Sequence, residues 1–133
     1  MICLDQAGHV LHRTLLHTGT VDQVALHPRT VVETALRHHA HAVLLAHNHP
    51  SGTAQPSQAD VDVTGRISTA LYMIGIRLVD HLIFAGSGAF SMVRACMIET
   101  KSDLCYVRNM AADGAKALRE DPYDWISMPV EET

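Results

Sequence analysis

An α/β fold, with a mixed, curved sheet of five or six strands and one helix on either side, is what this sequence predicts. Three observations carry that expectation. Residues 42–46, Ala-Val-Leu-Leu-Ala, form an unbroken apolar run with polar residues around it, too short for a buried helix and suited to a central strand covered on both faces. Segments before and after this run repeat apolar residues at helical spacing. Short β-rich stretches joined by turn-forming residues stand at both ends of that core.

The elements follow in order. Residues 2–4 and 10–17 flank the turn cluster Asp5-Gln6-Ala7-Gly8 and predict an opening β-hairpin. Pro28, after His27, suits a first helical position, and Val31, Val32, Ala35, Leu36 and His39 carry the helical spacing over residues 28–39. His47 closes the central strand, and residues 48–56, with two prolines, a glycine, a serine and a threonine, form a loop. Ser57 opens a second helix to about residue 74, with Val63, Ile67, Ala70, Leu71 and Ile74 on one face and Gly75 as its C-terminal stop. Residues 76–85 and 89–93 around Gly86-Ser87-Gly88 predict a second hairpin, so the order reads ββαβαββ. This places one domain in residues 1–95. Residues 96–133 are expected to form a C-terminal extension, partly helical (over 110–120) or loosely ordered, ending in a tail whose Tyr123 and Trp125 either dock or stay loose.

Composition bounds the function classes. With 47% hydrophobic and 18% charged residues in 133, the chain can bury a core without disulfides or metals as staples, which excludes a disordered or collagen-like chain. Ten basic against fourteen acidic residues leave a net charge of −4, and the basic residues are scattered, so charge gives no argument for a nucleic-acid partner or a membrane surface. Ten histidines add a charge that rises towards pH 6 but imply no metal by themselves. Cys3, Cys96 and Cys105 make an odd count with no CxxC pair, as expected of free thiols in a reducing cytosol. No apolar run approaches a membrane span, and the first residues lack signal-peptide character, so a soluble, cytoplasmic protein is expected.

Chemistry concentrates in the fourteen residues from His47 to Asp60, HNHPSGTAQPSQAD. Side chains two apart on an extended chain point the same way, so His47 and His49 can aim at one spot where the strand ends. The loop brings Asp60, in the first turn of the next helix, back to it. Two histidines and a carboxylate leave a fourth tetrahedral position open, the donor set of a catalytic zinc site. Each piece has a plainer reading: Ser57-Gln58-Ala59-Asp60 is also a capping box, and an isolated HxH is commonly structural. Combined at this spacing they favour a metal centre.

The same residues resemble the JAMM (MPN, JAB1) metalloprotease signature, HxH, seven residues, Ser, two residues, Asp, and HNHPSG is similar to its bacterial RadC-type branch. Leu26-His27-Pro28-Arg29, Ala46 and Leu78-Val79-Asp80-His81-Leu82-Ile83 agree with it, and the resemblance covers residues 2–95. It implies a JAMM/MPN core of cytidine-deaminase-like three-layer type, zinc bound by His47, His49 and Asp60, Ser57 stabilising an oxyanion, and a peptide or isopeptide-linked protein as substrate. A hydroxyl at a helix N-terminus suits that role on physical grounds.

The family also places a glutamate general base on an early strand. Here the matching position falls near Arg13 or Thr14, in a strand without a carboxylate. His12 is a candidate substitute, as is a carboxylate from the C-terminal extension such as Glu99 or one from a second chain. Alternation sends Asp80 and His81 to opposite faces, so only one can approach the site, and Asp80 suits equally a partner for a ligating imidazole and a purely structural hydrogen bond. The Arg37-His38-His39-Ala40-His41 cluster reads mainly as a cationic helix end. HExxH, GxxxxGK[ST], GxSxG and GxGxxG patterns are absent.

Two readings stand. The first is a zinc hydrolase of amide or isopeptide bonds. The second is a metal-binding module of weak or no activity that recognises a partner. The RadC-type association with DNA repair finds no support in the dispersed basic residues. With the first strand predicted at residues 2–4, DNA binding through a helix-hairpin-helix extension such as many relatives carry is not expected.

Overall fold

The computed structural model describes residues 1–17, 26–86 and 88–98. Their elements are β1 (Ile2–Leu4), β2 (Val10–Arg13), α1 (Pro28–Arg37), β3 (Ala42–Asn48), α2 (Gln58–Met73), β4 (Arg77–Ala85) and β5 (Gly88–Ser91). The order is the ββαβαββ predicted. One five-stranded sheet runs β2-β1-β3-β4-β5. The β3–β4 pair, joined through α2, is parallel, and the other pairs are antiparallel, which makes the sheet mixed. Ser87 and the segment 99–133, with Glu99, Cys105, Tyr123, Trp125 and the helix expected over 110–120, lie outside the described residues.

The apolar run forms the middle of the sheet as expected, with Ala42, Val43, Leu44 and Leu45 buried, but its last residue, Ala46, is exposed where the strand nears its end. The strand continues two residues further than the run, to Asn48, so His47 is itself a strand residue. β2 stops at Arg13, short of the 17 expected. Val43 and Leu45 share a core with Cys3 and Leu78 of the sheet, Val31 and Ala35 of α1, and Ile67 and Leu71 of α2. α1 also lies against α2. The two helices therefore share one face of the sheet, where one on either side was expected. A second cluster of Ile83, Met92 and Ile98, with Val61 and Phe90 beside it, fills the space between α2 and the β4–β5 end.

The helix faces differ in detail from their apolar patterns. In α1, Val31 and Ala35 are buried while Leu36 is half exposed. In α2 the core-facing set is Thr64, Ile67, Ser68 and Leu71, and Ile74 lies at the exposed end. Two polar residues thus occupy buried positions that the hydrophobic pattern left unmarked. Both helices end in the same motif, in which the residue after the cap turns left-handed and two backbone N–H groups reach back. At α2 this residue is Gly75, φ 73°, with Gly75 N–H donating to Tyr72 and Ile76 N–H to Leu71. At α1 it is His39, φ 52°, with His39 N–H donating to Leu36 and Ala40 N–H to Ala35. The helix accordingly stops at Arg37 rather than at residue 39. Among the described residues no helix is long and apolar enough to cross a membrane.

Candidate metal centre

The centre forms where β3 runs out, beside the first turn of α2. His47 lies on the side of β3 that carries Val43 and Leu45, hence towards the helices. His49 follows the last strand residue and is held by its backbone N–H, which donates to the Phe84 carbonyl of β4 at 2.7 Å. Its ring Nδ1 sits 3.1 Å from the Thr53 carbonyl, an acceptor only, so Nδ1 carries the proton and Nε2 a lone pair. Gly52, φ 83°, makes the turn that brings Thr53 there, and its N–H donates to the His49 carbonyl at 3.3 Å.

Asp60 is placed by the capping box. Ser57 accepts from the Asp60 N–H at 3.1 Å, while Ser57 N–H donates to Asp60 Oδ2 at 2.7 Å. The Ser57 hydroxyl also donates to Oδ2, at 2.6 Å. Burial by itself would raise the Asp60 pKa. The Ser57 hydrogen bonds, aided by His47 and His49, outweigh it and hold the carboxyl below its ordinary value. His47 is held below the usual imidazole value, chiefly by burial, with His49 adding to the effect and Asp60 opposing it. Carboxylate and neutral imidazole are the forms in which these side chains ligate metal.

Three side chains converge, through two imidazole nitrogens and the two oxygens of one carboxylate. His47 Nε2 lies 2.8 Å from His49 Nε2 and 3.5 Å from Asp60 Oδ1, and His49 Nε2 lies 3.4 Å from Asp60 Oδ2. Ligand atoms of a tetrahedrally coordinated ion stand roughly 3.3 Å apart; each histidine lies near that spacing from one of the two Asp60 oxygens, and the imidazole pair sits somewhat closer. Among the described residues this is the group of three His, Cys, Asp or Glu side chains able to hold a metal ion. Two nitrogens and one oxygen leave room for a further ligand, and the absence of thiolates from the set disfavours an iron–sulfur cluster.

Beneath the cluster lies a buried polar layer. His81 of β4 is 2% exposed, with Nε2 2.8 Å from His47 Nδ1 and Nδ1 2.6 Å from the Thr64 hydroxyl of α2. Burial first, then the neighbouring His47, pushes its pKa down to about 4, against weaker opposing pulls from Asp60 and Asp80. His81, and not Asp80, is therefore the residue of that pair that reaches the site. Asp80 faces away, accepting from the Ser91 hydroxyl, the Val93 N–H and the His81 N–H. The sequence held a hint of this layer: Thr64 follows Asp60 by four residues, which places both on one face of α2.

His12 does not reach the centre. It pairs across the sheet with Cys3 and, through it, with Val43, four residues before His47. Its ring instead stacks on His38, centroids 3.5 Å apart. Cys3 is buried and Cys96 exposed, both as free thiols.

Comparison with known proteins gives a match to the RadC-like JAB domain over residues 1–97. Similar curated proteins include UPF0758 proteins of Bordetella petrii, 52% identical over 89 residues, and of Thiobacillus denitrificans, 44% identical over 94 residues. These alignments cover 67% and 71% of this chain but only 40% and 42% of the relatives. A UPF0758 protein of Aeromonas hydrophila is 48% identical over 83 residues, 62% of this chain and 37% of its own length. The chain thus spans about two fifths of the length of the relatives it matches.

Proposed function

Because the chain belongs to the RadC-like JAB domain family, we propose that it is a zinc-dependent hydrolase of peptide or isopeptide bonds, with His47, His49 and Asp60 as ligands and Ser57 at the oxyanion. The observation that carries the proposal is the convergence of two imidazole nitrogens and a carboxylate within ligand spacing of one another. Bound there, zinc supplies Lewis acidity, lowering the pKa of water to about 7 and polarising a substrate carbonyl.

The protein's own residues do the rest. Asp60, kept ionised by Ser57, offsets the charge of the ion. Ser57 stands at the N-cap of α2, where its hydroxyl and the positive end of the helix would meet a substrate oxygen that gains negative charge. That hydroxyl now donates to Asp60 Oδ2, so serving the substrate requires it to rotate about its side-chain bond. A peptide or isopeptide-linked protein is the substrate class of this reading, and a reducing cytosol its setting.

Zinc content and cleavage, measured on the whole chain and on His49→Ala, test it. The expected result is about one zinc per chain and turnover on a peptide or isopeptide panel, both lost on substitution. Full zinc occupancy with no turnover would overturn hydrolysis and leave the second reading, a metal-binding recognition module. One observation favours that alternative: among the described residues Asp60 is the single carboxylate of the cluster, and β2 reads Val-Leu-His-Arg beside the position of the family's glutamate. General-base assistance is worth about 10²- to 10⁴-fold.

A further inference from the structure

The buried layer under the metal centre has a direction. The Thr64 hydroxyl has one proton, and the Asp60 backbone carbonyl 2.5 Å away can only accept it. Met92 sulfur, at 3.9 Å, is a far weaker competitor. Were the proton turned towards His81, two bare oxygens would face each other at hydrogen-bond distance. With Thr64 donating to Asp60, its oxygen accepts from His81 Nδ1 at 2.6 Å, which places the His81 ring proton on Nδ1 and a lone pair on Nε2. His47 Nδ1, 2.8 Å from that lone pair, must then be the donor, and the second nitrogen of His47 is left with its lone pair facing His49 and Asp60.

We propose that His81 is a positioning residue for the metal centre, which, locked by Thr64, selects the His47 tautomer and ring orientation that present Nε2 to the ion. The proposal rests on the metal reading above. Neutral imidazole in water favours the opposite tautomer, with the proton on Nε2, and that proton would block the ligand atom. The circuit runs from the Asp60 carbonyl through Thr64 and His81 to His47, and so couples two of the three ligand residues through the interior. With His49 tied to Thr53, both Nε2 lone pairs then meet at 2.8 Å beside a carboxylate, an arrangement that a bound cation or a shared proton would relieve.

The test uses the whole 133-residue chain with Zn²⁺ alone. Long-range ¹H–¹⁵N correlations of histidine-labelled, zinc-loaded protein should show protons on Nδ1 of both His81 and His47, and zinc on Nε2 of His47. Chelator competition should show zinc affinity about 10- to 100-fold weaker in Thr64→Val and His81→Phe, and restored in Thr64→Ser, which keeps the hydroxyl. Zinc on His47 Nδ1, a proton on His81 Nε2, or parental affinity in Thr64→Val would overturn the proposal. The parent spectrum decides even if His81→Phe fails to fold. A parent that binds no zinc overturns the metal reading and this proposal together, whereas bound zinc with the wrong tautomers overturns this proposal alone.

Discussion

Asp60 joins two tasks in one side chain: its Oδ1 and Oδ2 face the histidines, and Oδ2 also completes the capping box with Ser57. Ser57→Ala should therefore lower stability by about 1 kcal/mol through the lost cap, read by denaturant unfolding. If Ser57 also serves the oxyanion, kcat falls by about 10²-fold or more as well. A stability loss with kcat retained would leave it a cap alone. Asp80→Asn should cost about 2 kcal/mol or more, since a buried carboxylate accepting three hydrogen bonds becomes an amide that cannot accept them all. Unchanged unfolding would refute that role. At this scale the convergence of His47, His49 and Asp60, and Ser57 as a helix cap, were legible because strand alternation and helix capping are local rules. Thr64 and His81 were not, because seventeen residues separate them and only the folded packing of α2 on β4 brings them within 2.6 Å.

The elements show what periodicity decides and what it leaves open. An apolar stripe marks which side of a helix is buried, yet Thr64 and Ser68 of α2 are buried too, held by polar contacts to which the stripe is blind. The stop at His39 was hidden for another reason: glycine is the expected left-handed residue, and histidine accepts that conformation at a cost. His39→Gly should stabilise the fold by up to about 1 kcal/mol, and a neutral or lower melting temperature would count against it. The stacked pair His12 and His38 ties β2 to the end of α1. Burial and then the charge of His12 hold His38 below its ordinary value. A base with a lowered folded pKa contributes fully above its unfolded value, near 6.5, and the contribution is lost as pH falls through the folded pKa. His12→Ala should raise the His38 pKa towards 6.5 in an NMR titration, and no movement would exclude coupling.

For the molecule as a whole, the sheet was legible and its layering was not. Apolar runs and turn residues reveal strands and their sequence, but a helix stripe does not say which face of the sheet it meets. The crossover from β3 through α2 to β4 sets α2, and packing against α2 sets α1 on the same side. Ligand linkage supplies the prediction at this scale: zinc at 100 times its dissociation constant should add about 2.7 kcal/mol to unfolding, seen as a melting shift that His49→Ala abolishes. Equal shifts in both proteins would place the ion elsewhere. The neighbours Asp80 and His81 also act as a checksum on β4. A frame error of one position would turn the anion inward under His47 and drive an imidazole towards Ser91, so a mispaired chain loses its partners on both sides at once. Refolding thereby has a chemical means of rejecting the wrong alignment before any metal arrives.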